Sequence, residues 1–128
     1  MNELLKSLIN APGVSGDESC ISGRIKELLG KKLPVTEDNM GNLMVFKKGT
    51  GPESVKMTIM VAAHMDEIGI VATYIEKNGF IRFAGVGWVS PFFAMGQEVI
   101  FKDGTVGSVF YEQDIEKLED LKLTKMFI

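Results

Sequence analysis

The 128-residue chain reads as an α/β protein, the start of a layered α/β domain over residues 1–67 followed by a small β-rich module over residues 68–128. Three observations point there. Two stretches with helical apolar spacing open the chain. A nearly continuous apolar run, Lys56 to Ala63, follows them and suits a strand covered on both faces. Beyond His64 the pattern turns to short alternating segments separated by hairpin dipeptides.

Leu4, Leu5, Leu8 and Ile9 recur at helical spacing, which predicts a short amphipathic helix over 2–10 that Pro12-Gly13 ends. Ile21, Ile25, Leu28 and Leu29 form the stripe of a second helix. Ser15 or Asp17 can cap its start, and Gly30 sits where a helix usually closes. The period then shortens. Val35 to Glu37 predicts a strand, 39–42 a turn, and Leu43, Val45 and Lys47 the alternation of the next strand. Gly49, Gly51 and Pro52 mark a loop ahead of the apolar run. In the second half, strands are expected at Ile68–Tyr74, Phe80–Phe83, Glu98–Lys102 and Val106–Phe110. Turns are expected at Lys77-Asn78-Gly79, at Gly85-Val86-Gly87 and at Asp103-Gly104. Leu118, Leu121, Leu123 and Met126 to Ile128 keep an apolar pattern to the last residue, which predicts a chain stopping inside an element.

Hydrophobic residues make up 45% and charged residues 24%, enough apolar material for a core. The net charge of −3 gives no basic face for nucleic acid. No apolar run approaches the roughly 20 residues that span a bilayer, and the opening residues lack the pattern of a signal peptide, so a cytoplasmic protein is expected. Cys20 is the only cysteine, which excludes an internal disulfide and a thiolate cluster. It reads as a small core or boundary residue. The eight methionines read as core filling. The glycines fit no phosphate-binding loop and read as turn residues.

Chemistry concentrates where the apolar run ends, in Ala63-His64-Met65-Asp66-Glu67-Ile68-Gly69. On an extended chain residues i and i+2 share a face, so His64 and Asp66 point together and Glu67 points away. A neutral imidazole is the commonest metal ligand. Its second ring nitrogen usually donates to a carboxylate, a part that Asp66 is placed to take. Spacing alone is weak evidence, since a His-x-Asp triplet occurs in many proteins without function.

Three motifs in order add to it: Ala11-Pro12-Gly13-Val14-Ser15-Gly16-Asp17-Glu18, Asp38-Asn39-Met40-Gly41-Asn42-Leu43, and the segment around His64. With Gly85-Val86-Gly87-Trp88 and Gly96-Gln97-Glu98-Val99, they make the whole chain resemble the N-terminal portion of the M42 metallo-aminopeptidases. The resemblance implies an α/β catalytic domain interrupted by an inserted β-rich oligomerisation domain, PDZ-like or barrel-like, with both incomplete here. It implies two divalent metals per site, zinc or cobalt, and removal of N-terminal residues from peptide substrates. It makes His64 a metal ligand and Asp66 the catalytic-site acid that orients it. It implies no role for Glu67, which reads as a solvated or interdomain carboxylate. The family's other ligands and its general base follow the insert, so this chain is expected to bind metal incompletely and to be inactive alone.

Trp88, Pro91, Phe92 and Phe93 form an aromatic cluster that reads either as a satellite core or as an oligomer contact. The alternative function is therefore a β-rich interaction module without catalysis. Some relatives have been labelled endoglucanases. Adjacent Asp66 and Glu67 would face opposite ways and make a poor pair across a glycosidic bond.

Overall fold

Asn2 starts the first helix because its side chain accepts the amide of Leu4, replacing one of the partners that a helix start lacks. The computed structural model, which describes residues 2–52, 57–113, 115 and 117–128, divides into two compact units, Met1–Glu67 and Ile68–Ile128.

In the first unit, α1 (Glu3–Ile9) and α2 (Ser19–Gly30) precede a hairpin of β1 (Val35–Glu37) and β2 (Leu43–Val45), paired antiparallel. Asp38 makes the turn between these strands. Its carboxylate accepts the amides of Met40 and Asn42 and the side-chain amide of Asn42. The start of α2 departs from expectation. Its cap position is Glu18, without a side-chain cap bond, and neither Ser15 nor Asp17 serves there. Gly30 lies within the helix, and Lys31 ends it in an ordinary right-handed conformation, so no left-handed glycine is needed. Ile21 and Ser22 are buried, whereas Cys20 is exposed rather than a core residue.

The apolar run is the largest correction. Lys56 lies outside the described residues, and residues 57–63 belong to no strand. Met60 is 87% and Val61 90% exposed. A strand apolar on both faces is stable only between neighbours that cover it. Among the described residues, β1 and β2 pair only with each other and offer none.

The second unit is built from antiparallel pairs. β3 (Gly69–Ile75) pairs with β4 (Ile81–Val86), with a register irregularity between Ala72 and Tyr74. Gly79, at φ 93°, serves the turn between them. Gly85 and Val86 continue β4 instead of turning, and the chain bends at Gly87, at φ 74°. The aromatic segment forms a short helix, α3 (Pro91–Ala94), with proline in its first turn. β5 (Glu98–Ile100) pairs with β6 (Val106–Ser108), and β7 (Phe110–Tyr111) with β8 (Met126–Phe127). Short 3₁₀ turns at Leu118–Asp120 and Leu123–Lys125 lead into β8.

The expected strand over 106–110 is interrupted at Val109, whose backbone turns aside to Gly96 and Gln97 at 2.9 Å each. Val109 is buried with Phe83, Leu121 and Met126 in the core of this unit. The apolar final residues thus have a place within the unit. Met126 is fully buried, and Ile128 exchanges two backbone hydrogen bonds with Ile81. Core filling describes Met126, but Met40, Met57 and Met60 are exposed.

A charged network ties β4 to the β7–β8 pair. Arg82 donates to Glu76 and pairs with Glu112 at 2.8 Å, while Lys125 pairs with Glu112 at 2.9 Å. The Arg82 guanidinium also lies over the Phe127 ring, 5.8 Å from its centre. Lys125 first and Arg82 second hold the Glu112 carboxyl below the usual carboxylate range.

Candidate metal-ligand site at His64

Residues 13–15 and 66–67 lie side by side in the first unit. The Glu67 amide donates to the Gly13 carbonyl at 2.8 Å, and the Ser15 amide donates to the Glu67 carbonyl at 3.2 Å. The Glu67 carboxylate accepts the Gly13 amide at 3.1 Å. Glu67 is exposed, as read from the sequence, and in addition clamps the loop ahead of α2. Gly13 is required on steric grounds, because a Cβ there would lie 2.4 Å from Cγ2 of Ile21.

This strap brings three side chains into line. Ser15 Oγ donates to Asp66 Oδ2 at 2.5 Å. Asp66 Oδ1 and the Asp66 carbonyl oxygen each lie 2.9 Å from His64 Nδ1. Both of those oxygens only accept, so in the neutral ring the proton sits on Nδ1. Nε2 then carries the lone pair and has no partner among the described residues. The His64 side chain is 84% exposed, so that lone pair is accessible. Hydrogen bonds from Ser15 and, next in weight, from His64 hold the Asp66 carboxyl below the usual carboxylate range.

An open cleft of about 280 Å³ lies beside the pair, lined by Glu18, Ser22, Glu37, Asn42, His64 and Asp66 among others. Its carboxylates do not gather into a metal site. Among the described residues, no three of His, Cys, Asp and Glu come together to hold an ion. One imidazole nitrogen with an orienting carboxylate suits a single metal ligand, whereas a catalytic zinc takes about three from the protein.

The structure brings together His64 and Asp66, the two site residues named from the sequence. Sequence spacing offers Ser15 as a helix-cap candidate and gives Glu67 no part in the site. Their contacts span 51 and 54 positions, a separation that local periodicity cannot register. The available signal was that both occur in the ordered motifs that carry the family resemblance.

In the second unit, Trp88 is 93% and Phe93 81% exposed, so the aromatic cluster is no satellite core. They line an apolar hollow of about 500 Å³ with Ile68, Val89, Ser90 and Ala94.

Comparison with known proteins agrees with the motifs. The chain is 46% identical, over its whole length, to a protein of Acetivibrio thermocellus described as a candidate aminopeptidase. It superposes with a TM-score of 0.82 on aminopeptidase APDkam598 of Desulfurococcus kamchatkensis, at 30% identity over 98% of this chain. It superposes with a TM-score of 0.73 on the TET1 peptidase of Pyrococcus horikoshii, described as assembling into a tetrahedron or a large octahedral shell, at 26% identity over 98% of this chain. The chain spans 38% of the Acetivibrio relative, 36% of the Desulfurococcus chain and 38% of the Pyrococcus chain. The family model for M42 glutamyl aminopeptidases matches residues 41–128, and the chain belongs to that family.

Proposed function

We propose that this chain carries one metal ligand, His64, of a divalent-metal aminopeptidase that removes N-terminal residues from peptides. The observation that carries the reading is the state of the imidazole. Nδ1 faces two acceptors, Nε2 has no partner among the described residues, and the side chain is exposed, as suits a ligand nitrogen. Family membership and the names of the relatives support the activity. Zinc or cobalt, two ions per site, is the cofactor expected from the family. Such ions, when bound, polarise a carbonyl oxygen and acidify a bound water. His64 would donate Nε2, and Asp66 would fix the ring and its tautomer. The remaining ligands and the general base are not gathered among the described residues. His64 alone would hold a metal incompletely, and the 128-residue chain by itself is expected not to hydrolyse peptides.

In the same proposal, residues 1–67 are the first part of a layered α/β catalytic domain. Residues 68–128 belong to an inserted, PDZ-like or barrel-like oligomerisation domain. The exposed Trp88 and Phe93 and the assembly of the Pyrococcus relative support homo-oligomer formation through it. A cytoplasmic setting without nucleic-acid or membrane partners suits the single cysteine and the charge of −3, and no helix among the described residues is long and apolar enough to cross a membrane. The exposed aromatics equally favour the second reading, an interaction module without catalysis.

A hybrid decides between them. This chain would replace the matching segment of the Acetivibrio relative. The hybrid should release N-terminal residues from peptides, lose that activity to a chelator, and recover it with zinc or cobalt. Asp66→Ala should lower its activity about 10–100-fold. A folded hybrid that associates but never hydrolyses would support the interaction module instead.

A further inference from the structure

We infer that Ser15 is a positioning residue for the His64–Asp66 pair: its hydroxyl holds the Asp66 carboxylate in the orientation that engages Nδ1 of His64. The inference rests on the reading of His64 given above. The Asp66 side chain is 40% exposed, and the torsion that turns its carboxylate is broad, so one contact with an exposed imidazole does not fix it. Ser15 supplies the second contact. It takes Oδ2 at 2.5 Å while Oδ1 faces the ring at 2.9 Å. The hydroxyl has a single proton, and its other acceptor, the Glu67 carbonyl, lies at 3.5 Å, too far to compete.

Ser15 is itself held in place. Its amide is bonded to the Glu67 carbonyl, Gly13 is bonded to Glu67 through both backbone and side chain, and Ile21 leaves no room for a side chain at position 13. The residue holding Ser15 is the immediate neighbour of Asp66, so hydroxyl and carboxylate share one short frame. The hydroxyl has no competing duty as a helix cap, since that position is Glu18.

His64 is the sole histidine, so the imidazole nitrogen spectrum of the 128-residue chain reports it alone. With the ring neutral, the ratio of Nδ1–H to Nε2–H tautomers reads the alignment directly. Ser15→Ala should lower that ratio about fivefold, the weight of one ordinary hydrogen bond. Asp66→Ala should lower it at least as far, and Ser15→Thr should preserve it. If Ser15→Ala keeps the wild-type ratio while Asp66→Ala loses it, Ser15 positions nothing and the pair still stands. If Asp66→Ala also keeps the ratio, the backbone carbonyl of residue 66 alone sets the tautomer, the carboxylate orients nothing, and the role of Ser15 falls with it. Should Ser15→Ala fail to fold, Ser15→Val and Ser15→Thr share a shape and differ in the hydroxyl. A lower ratio in the valine variant supports the inference, and equal ratios overturn it.

Discussion

The imidazole of His64 faces two oxygens of one residue, the carbonyl and Oδ1 of Asp66, two positions along the chain. The carboxylate contact follows from sequence spacing, whereas the carbonyl contact does not. Ser15 and Glu67 do not follow from it, because their contacts close a loop of some fifty residues. The clamp also makes a steric demand. Gly13→Ala would push a methyl group to within 2.4 Å of Ile21 Cγ2, and Ile21 is buried. Overpacking of this kind costs about 1–3 kcal/mol. Denaturant unfolding followed at the first unit should show a lowered midpoint for Gly13→Ala. An unchanged midpoint would mean that the loop yields without cost.

At the scale of elements, periodicity served well where strands pair with their sequence neighbours. The β1–β2 hairpin and the β3–β4 pair both lie close to where alternation and Asn-Gly place them. It failed where neighbours decide the outcome. The run over 57–63 has the composition of a central strand, but among the described residues it has no partner, and its side chains stay exposed. Gly85 and Val86 look like a turn, yet they continue β4, with Leu123 and Val89 packed where a side chain at Gly85 would go. Cys20 and Met60 show the same limit, since composition predicts burial only when there is something to be buried against.

The second unit carries a pH dependence of its own. Glu112 is held below its ordinary value of 4.5 by Lys125 and Arg82, so its contribution to stability is complete above about that pH. That contribution is lost as pH falls through the lowered folded value. Thermal melts of the wild type should therefore lose stability below about pH 4.5, and Glu112→Gln should flatten that part of the decline. Parallel declines in the two proteins would remove Glu112 as its source.

Across the whole molecule, each half supplies a different kind of incompleteness. In the first unit, no three of His, Cys, Asp and Glu gather around the His64 imidazole among the described residues. The second leaves Trp88 and Phe93 open to solvent. The chain spans 38% of a relative to which it is 46% identical along its full length. Mixed helix and strand content was legible from periodicity, and the ordered motifs carried the family. Of the cluster at His64, spacing reached only His64 and Asp66, because the contacts of Ser15 and Glu67 cross 51 and 54 positions.

In the function proposed above, Nε2 of His64 binds a catalytic metal. The most direct test is the metal content of the purified hybrid with and without His64→Ala, read by elemental analysis beside peptide hydrolysis. The substitution should remove bound metal and lower hydrolysis by more than about 100-fold, beyond the loss expected for an orienting residue. A His64→Ala hybrid that keeps its full metal content and its activity would contradict it.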